Sequence, residues 1–195
     1  PRSQRPPRRT LRAPAEVGQR VAAVGEQAFE QGGADGVFVG AVDAHAVLAP
    51  TTTLAHFAAL PVLIRPGDTV LVDSVSHASV QTATQLLQAN GIEMSVMPHN
   101  DVPAIEHVLS EHEGRGRVWL LVDGVYSMYG DIAPAAEIAV LLDRHPALHV
   151  YCDDAHGLGW DGKRGRGAYL ARAGWHERLV VVAGLSKSFG ATGGV

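Results

Sequence analysis

A chain of 195 residues with 46% hydrophobic and 18% charged residues can bury one sizeable core but is short for two full domains. Its formal net charge of −4 gives no general attraction to nucleic acid or to an anionic membrane, which favours small-molecule chemistry. The single cysteine, Cys152, excludes an internal disulfide framework, and we interpret it as a small buried residue of a cytoplasmic protein. No apolar stretch approaches the ~20 residues that span a bilayer, so we expect a soluble protein.

The amino-terminal region divides into an arm and a helix. Residues 1–14 are rich in Arg and Pro without an apolar face, which predicts a disordered basic arm. Apolar residues at helical spacing then predict a helix over residues 15–31. We expect residues 15–195 to form one α/β domain.

Further along the chain, short β-branched runs alternate with longer helical patterns. This alternation predicts βαβ units and a mostly parallel sheet with helices on both faces. Ligands of open α/β sheets bind at the carboxyl ends of the strands, so polar residues there are the first candidates for function. The predicted strands are 36–41, 69–72, 93–97, 118–122, 149–152 and 179–183, and the predicted helices between them are 53–63, 78–90, 102–111 and 135–144.

A carboxylate and an imidazole follow the predicted strand 149–152. Asp153 comes directly after this strand, and His156 follows three residues later. A carboxylate beside a pyridine nitrogen keeps that nitrogen protonated, which makes the ring a stronger electron sink. Considered alone, however, Asp153 or Asp154 capping a turn is the simpler interpretation.

A lysine follows the last predicted strand. Lys187 lies among small residues, where a ligand can approach the backbone. An unprotonated amine at this position can form an imine with an aldehyde. An isolated lysine beside serine and glycine is more often an ordinary surface residue.

Two helix starts carry polar side chains. Thr51, Thr52 and Thr53 precede the helical pattern 53–63, so their hydroxyls and the first free amides could receive a phosphate. A plain N-cap explains one threonine better than three. His77 opens the helix 78–90, where it could stack on a flat ring or merely cap the helix.

Together these motifs resemble the α-oxoamine synthase branch of the fold-type-I pyridoxal-phosphate enzymes, also called class-II aminotransferase-like. Within that branch the 8-amino-7-oxononanoate synthase type is the most similar. The resemblance runs from about residue 36 to residue 195. Four segments carry it in the same order: residues 73–79, residues 123–134, residues 153–159 with 165–167, and residues 185–194.

The resemblance implies a role for each residue around the cofactor ring. His77 would stack on the pyridine ring, and Asp153 would pair with the ring nitrogen. His156 and Ser127 would lie near the phenolic oxygen of the ring. These roles predict a site for pyridoxal 5'-phosphate and no metal.

The resemblance also implies where the cofactor is held. Lys187 would bind it as a Schiff base, and Thr52 and Thr53 match positions that hold its phosphate. Lys187, His77 and Asp153 are therefore the predicted catalytic residues. Freed Lys187 would be the natural general base, because it is already positioned over the substrate α-carbon.

The implied reaction condenses an amino acid with an acyl-CoA thioester and releases a decarboxylated amino ketone. Family members are dimers with shared sites, so the resemblance implies a homodimer. Two alternatives stay open: an aminotransferase or lyase on the same scaffold, and an inactive truncated fragment that binds cofactor poorly. The family's C-terminal domain would lie beyond Val195, so we expect a piece of the major domain that is inactive alone.

Four positions depart from the family pattern. Gly184 stands where a hydroxyl residue often lies three positions before the lysine. Asp123 replaces a usual Glu, Tyr129 a usual acidic residue, and His56 a usual Asn. These departures put substrate choice in doubt, while the expected ring contacts are all present.

Overall fold

The computed structural model describes residues 46–112 and 116–195. The predicted arm 1–14, helix 15–31 and strand 36–41 lie outside the described residues. The described strands are β1 Thr69–Asp73, β2 Glu93–Met97, β3 Val118–Asp123, β4 Leu148–Asp153 and β5 Leu179–Val182. The described helices are α1 Thr52–Leu63, α2 Ala78–Ala89, α3 Val102–Glu111, α4 Ala135–Arg144, α5 Ala168–Ala173 and the short α6 Leu185–Ser188.

The five described strands form one parallel sheet in the order β2-β1-β3-β4-β5. After β1 the chain adds β2 on one side and β3 on the other. Such a change of direction opens a crevice at the carboxyl ends of the strands, where ligands of α/β proteins bind. The predicted parallel sheet is therefore confirmed.

Helices cover both faces of the sheet, as predicted. On one face, Leu60 of α1 and Leu87 of α2 pack with the strand residue Val70. On the other face, Ile138 of α4 packs with Leu71, the next residue along β1. Successive strand residues thus enter opposite cores, as the two-residue period of a strand requires.

Three neighbouring strands end in a carboxylate. The sequence patterns predicted strand ends at residues 72, 122 and 152, but β1, β3 and β4 each continue for one more residue, to Asp73, Asp123 and Asp153. Aspartate has a low strand propensity, so the sequence patterns did not predict that the strands include these residues. In the structure Asp123 pairs in register with Asp153, which places both carboxylates at the same edge.

The helices are short. The two longest described helices, α1 and α2, have 12 residues each. Over residues 46–112 and 116–195, no helix combines the length and the apolar character needed to cross a membrane.

Candidate functional site

An open cleft of about 290 Å³ lies at the carboxyl edge of the sheet. Small-molecule sites typically measure ~300–1,000 Å³, so the volume of the cleft lies just below that range. The start of α1, the β1–α2 connection, the end of β4 and the α6 region form its walls. The lining residues are Pro50, Thr51, Thr52, Thr53, His77, Ser79, Asp153, Ala155, His156, Ser186, Lys187, Thr192 and Gly193.

The cleft gathers most of the residues that the sequence patterns selected. Thr52, Thr53, His77, Asp153, His156 and Lys187 all line it. Ser127 does not: it is exposed in the β3–α4 connection and is not among the lining residues. The contact implied for Ser127 therefore stays a prediction without geometric support.

The start of α1 is suited to an anion. Thr51 is the N-cap, and its hydroxyl accepts the Leu54 N–H at 3.1 Å. Capping therefore explains Thr51, while Thr52 and Thr53 line the cleft as the first helical residues. The first amides of a helix have no intrahelical acceptor, and the helix dipole is positive there. No acidic residue lies in this first turn, so a phosphate fits the position.

A glycine segment closes tightly over the same helix start. Gly194 pairs with Ala49 through two backbone hydrogen bonds of 2.9 Å. A β-carbon on Gly194 would come within 2.8 Å of the backbone of Thr52, so a larger residue would push the segment away. The close approach brings Thr192 and Gly193 to the cleft wall.

Asp153 presents a fixed carboxylate at the cleft. Its Oδ1 accepts the Ala155 N–H at 3.0 Å, and its Oδ2 lies 2.9 Å from Nε2 of His56. Only 6% of the residue is exposed. Each carboxylate oxygen can accept two hydrogen bonds, so the group keeps capacity for a cationic or N–H ligand.

The next residue, Asp154, faces away from the cleft. It is fully buried, and its Oδ2 accepts the Tyr169 N–H at the start of α5 at 3.2 Å. Burial raises the pKa of Asp154 to about 7. This geometry supports Asp153, and not Asp154, as the carboxylate available to a ligand.

His56 is the site residue whose place the sequence did not reveal. The sequence marked it only as a departure from the family pattern, whereas the structure buries it completely against Asp153 and Tyr151. One signal was available: His56 follows Thr52 by four residues, so both lie on one face of α1.

His77 is held in place by two neighbours. It caps α2, and its Nδ1 lies 2.6 Å from the Ser79 hydroxyl. Its backbone N–H donates to both carboxylate oxygens of Asp123, at 3.0 and 3.2 Å. Burial and then the negative charge of Asp153 raise the pKa of Asp123 to about 8. Through these hydrogen bonds Asp123 holds the backbone of His77, whose side chain lines the cleft.

Lys187 and His156 both line the cleft, and the charge of Lys187 acts on His156. Lys187 is exposed on α6, where its amine is accessible from the cleft. Burial lowers the pKa of His156, and the positive charge of Lys187 lowers it further. His156 is therefore neutral near pH 7 and can donate or accept a hydrogen bond.

The sequence of this chain matches a known protein family. The family model described as aminotransferase class I and II matches residues 23–195. The 8-amino-7-oxononanoate synthase of Geobacter sulfurreducens is 37% identical over 139 residues, which cover 71% of this chain and 33% of that protein. The enzyme of the same name from Dechloromonas aromatica is 42% identical over 118 residues, which cover 60% of this chain and 30% of that protein.

Two solved structures are also similar to this chain. A serine palmitoyltransferase from S. paucimobilis, with bound PLP–myriocin aldimine, superposes with a TM-score of 0.68 at 31% identity, over 76% of this chain and 37% of that chain. The 8-amino-7-oxononanoate synthase of Francisella tularensis has a TM-score of 0.58 at 23% identity, over 76% of this chain and 41% of that chain, and shows the fold alone.

The chain spans about a third of the length of these curated relatives, and 19% of one Mycobacterium tuberculosis relative. The comparisons confirm the predicted fold and, separately, the resemblance to this family. With a family model that matches most of its length, the chain belongs to the aminotransferase class I and II family.

Proposed function

We propose that the protein containing this chain is a pyridoxal-phosphate-dependent acyltransferase that condenses an amino acid with an acyl-CoA. One observation carries the proposal: an anion-receiving helix start, the carboxylate of Asp153 and the amine of Lys187 share one cleft. The relatives named 8-amino-7-oxononanoate synthase support this reaction over an aminotransferase or a lyase.

The donors and acceptors of the cleft fit pyridoxal 5'-phosphate. Thr52 and Thr53 at the start of α1 would hold the phosphate. Lys187 would hold the aldehyde carbon, and Asp153 would face the ring nitrogen. A buried carboxylate is costly unless it is paired, so a protonated ring nitrogen would complete the partners of Asp153.

When bound, pyridoxal phosphate supplies an electron-withdrawing ring that stabilises negative charge on the α-carbon of an amino acid. Asp153 would keep the proton on the ring nitrogen. His77 would orient the ring from one face, and neutral His156 would hydrogen-bond its phenolic oxygen. The Nζ of Lys187 would take the proton from the substrate α-carbon.

The net reaction balances without an external oxidant or reductant. The α-carbon of the amino acid gives its proton to Lys187 and forms a bond to the thioester carbonyl carbon. The carbon–sulfur bond breaks, and the CoA sulfur takes up a proton and leaves as the thiol. The substrate carboxylate leaves as carbon dioxide, and a proton takes its place. The product is an amino ketone.

We further propose that the complete protein is a homodimer of the cytoplasm. The family resemblance supports the dimer. The sole cysteine, Cys152, is buried and free, which agrees with a reducing compartment. Light scattering of the purified complete protein should give twice the mass of its single polypeptide, and a monomeric mass would contradict the dimer.

The first test locates the cofactor. The complete protein is incubated with pyridoxal phosphate, reduced with borohydride and mapped by peptide mass. We expect the label on Lys187. The only other lysine of the chain, Lys163, is the internal control, and a label confined to Lys163 would overturn the assignment.

The second test identifies the reaction. Release of free CoA thiol is measured with glycine, alanine and serine against short and long acyl-CoAs. We expect thiol release that depends on both substrates. Conversion of a keto acid to an amino acid without thioester consumption would instead show an aminotransferase.

A further inference from the structure

A hydrogen-bonded chain runs through the interior from Tyr151 to Asp153 by way of His56. The Nδ1 atom of His56 lies 2.8 Å from the Tyr151 hydroxyl, and its Nε2 atom lies 2.9 Å from Oδ2 of Asp153. His56 and Tyr151 are both fully buried. The imidazole therefore has two polar partners in the interior, and one of them lines the cleft.

The chemistry of the three groups sets the direction of these hydrogen bonds. A carboxylate accepts hydrogen bonds and donates none, so we assign Nε2 of His56 as the donor to Oδ2 of Asp153. A neutral imidazole then accepts at Nδ1, and Tyr151 donates its hydroxyl proton there. Burial raises the pKa of Tyr151 well above its ordinary value, so the hydroxyl keeps that proton. Both imidazole nitrogens are satisfied without a second buried charge.

The same contacts restrict the carboxylate of Asp153. Its Oδ1 is held by the Ala155 N–H and its Oδ2 by His56, so rotation of the side chain breaks a buried hydrogen bond. His56 also lies one helical turn after Thr52, at the start of the same helix. Helix α1 thus supports both ends of the cleft, the anion-receiving end and the carboxylate end.

We propose that His56 is a positioning residue that fixes the carboxylate of Asp153 toward the cleft through the Tyr151–His56–Asp153 chain. The inference rests on the proposed function, in which Asp153 faces the ring nitrogen of pyridoxal phosphate. It goes further by assigning the orientation of Asp153 to a histidine where the family pattern has an asparagine.

Four variants of the complete protein separate the contacts of His56. His56→Leu removes both hydrogen bonds. His56→Gln places an amide donor near the Nε2 position and retains the contact with Asp153, whereas His56→Asn places an amide oxygen near the Nδ1 position, where it can accept the Tyr151 hydroxyl. Tyr151→Phe removes only the far hydroxyl.

His149→Asn is the matched control. His149 lies on the same strand, β4, but near its opposite end, where it packs against Trp119 with ring centroids 4.9 Å apart. It is partly buried and does not line the cleft. Its replacement measures how much activity and thermal stability the protein loses when a packed histidine on β4 is removed away from the cleft.

Three readouts distinguish positioning from a purely structural role. They are the pH dependence of the absorption spectrum of bound pyridoxal phosphate, the separate values of kcat and KM, and the thermal midpoint. We expect His56→Leu to lower kcat about 10- to 150-fold, the loss typical of a hydrogen bond to a charged group, and to shift the spectral pH profile. His56→Gln should recover most of the spectral profile, while His56→Asn should resemble His56→Leu.

Nitrogen NMR of the imidazole gives a readout that needs no turnover. In the cofactor-free protein, we expect His56 to be protonated at Nε2 and unprotonated at Nδ1. The opposite tautomer would overturn the direction of the chain from Tyr151 to Asp153.

The inference fails if His56→Leu keeps the parent's spectral pH profile and kcat. It also fails if all His56 variants lose activity only in proportion to a lowered thermal midpoint, with no recovery in His56→Gln. In both results the parent still binds pyridoxal phosphate, so the proposed function survives. A parent protein that binds no pyridoxal phosphate would overturn both.

Discussion

The hydroxyl of Thr52 lies 2.8 Å from the position that a β-carbon on Gly184 would occupy. Real β-carbons hardly ever approach another heavy atom so closely. The family resemblance marked Gly184 as a departure from a position that often carries a hydroxyl residue, and in this chain the Thr52 hydroxyl lies beside that position instead. The side chains at positions 52 and 184 therefore compete for one space at the cleft.

This competition predicts that Gly184→Ala destabilises the protein. Gly184 has φ −100° and ψ 133°, which alanine adopts freely, so the cost should come from the contact with Thr52. Overpacking of this kind costs about 1–3 kcal/mol. The free energy of unfolding in urea measures it. In a Thr52→Ala background the cost should shrink, because the contacting hydroxyl is gone.

The matched control is Thr53→Ala, which removes a neighbouring hydroxyl that does not contact Gly184. A double-mutant cycle then isolates the coupling between positions 52 and 184. Equal costs of Gly184→Ala in the Thr52→Ala and Thr53→Ala backgrounds would contradict the prediction.

The buried carboxylate of Asp123 predicts a stability that falls as pH rises. Burial and the charge of Asp153 raise the pKa of Asp123 from 3.8 to about 8. Between these two values the folded state keeps a proton that the unfolded state has lost, so rising pH favours unfolding. We expect urea midpoints to decrease from about pH 5 to about pH 8.

Asp123→Asn should flatten this pH dependence, because the amide keeps an acceptor for the His77 N–H and carries no charge. Asp143→Asn is the control, since the Asp143 side chain is 77% exposed. A slope that is the same in Asp123→Asn and in the parent would show that another group causes it.

Strand positions were predictable because parallel strands that are buried on both faces read as continuous apolar runs. The run of residues 118–122 is an example, and all six residues of β3 are buried. The predicted helices 102–111 and 135–144 agree with α3 and α4 at both ends. Helices α5 and α6 were missed, because elements of six and four residues are too short for a helical period.

The residues at the cleft were predictable to the extent that they follow strand ends or open helices. Asp153 and Lys187 were selected in this way. The contact between His56 and Asp153 joins residues 97 positions apart, and that between His77 and Asp123 joins residues 46 apart. Such pairings leave no local pattern, because they depend on how the helices pack across the sheet.

A second pH-dependent group lies outside the cleft. His99 lies 2.8 Å from Oδ1 of Asp73 and 2.5 Å from Oδ2 of Asp131, so each ring nitrogen faces a carboxylate. Burial lowers the pKa of His99, but the hydrogen bonds to Asp73 and Asp131 outweigh it and the net pKa is raised. The stabilisation is therefore complete below about pH 6.5 and is lost as pH rises through the raised pKa.

NMR titration of the His99 imidazole should give a midpoint above the ~6.5 of a free histidine. His99→Gln retains hydrogen-bond donors without the charge, so its stability should lose this pH-dependent contribution. His107→Gln is the control, because the His107 side chain is 71% exposed. A His99 midpoint at or below 6.5 would contradict the arrangement.

The two adjacent carboxylates at the end of β4 predict opposite outcomes for the same substitution. Asp153→Asn should retain pyridoxal phosphate but lower kcat about 10- to 150-fold, which corresponds to the ~1.5–3 kcal/mol of a hydrogen bond to a charged group. Asp154→Asn should leave kcat close to that of the parent, since Asp154 lies away from the cleft and its Oδ2 accepts the Tyr169 N–H, a bond that an amide oxygen can keep.

The side chain of Asp154 fits a space in which asparagine can replace it without a change of shape. A β-carbon on Gly124, Gly157 or Gly167 would come within 2.1–2.2 Å of an Asp154 carboxylate oxygen, so three glycines shape the space that it fills. Asparagine has the same shape and fits that space, and the raised pKa of about 7 already favours an uncharged side chain there. Steady-state kinetics and cofactor absorption of both variants show which of the two carboxylates supports the reaction. If Asp154→Asn inactivated the enzyme while Asp153→Asn was harmless, the side chains at the end of β4 would face the opposite way, and Asp153 would lose its place at the ring nitrogen.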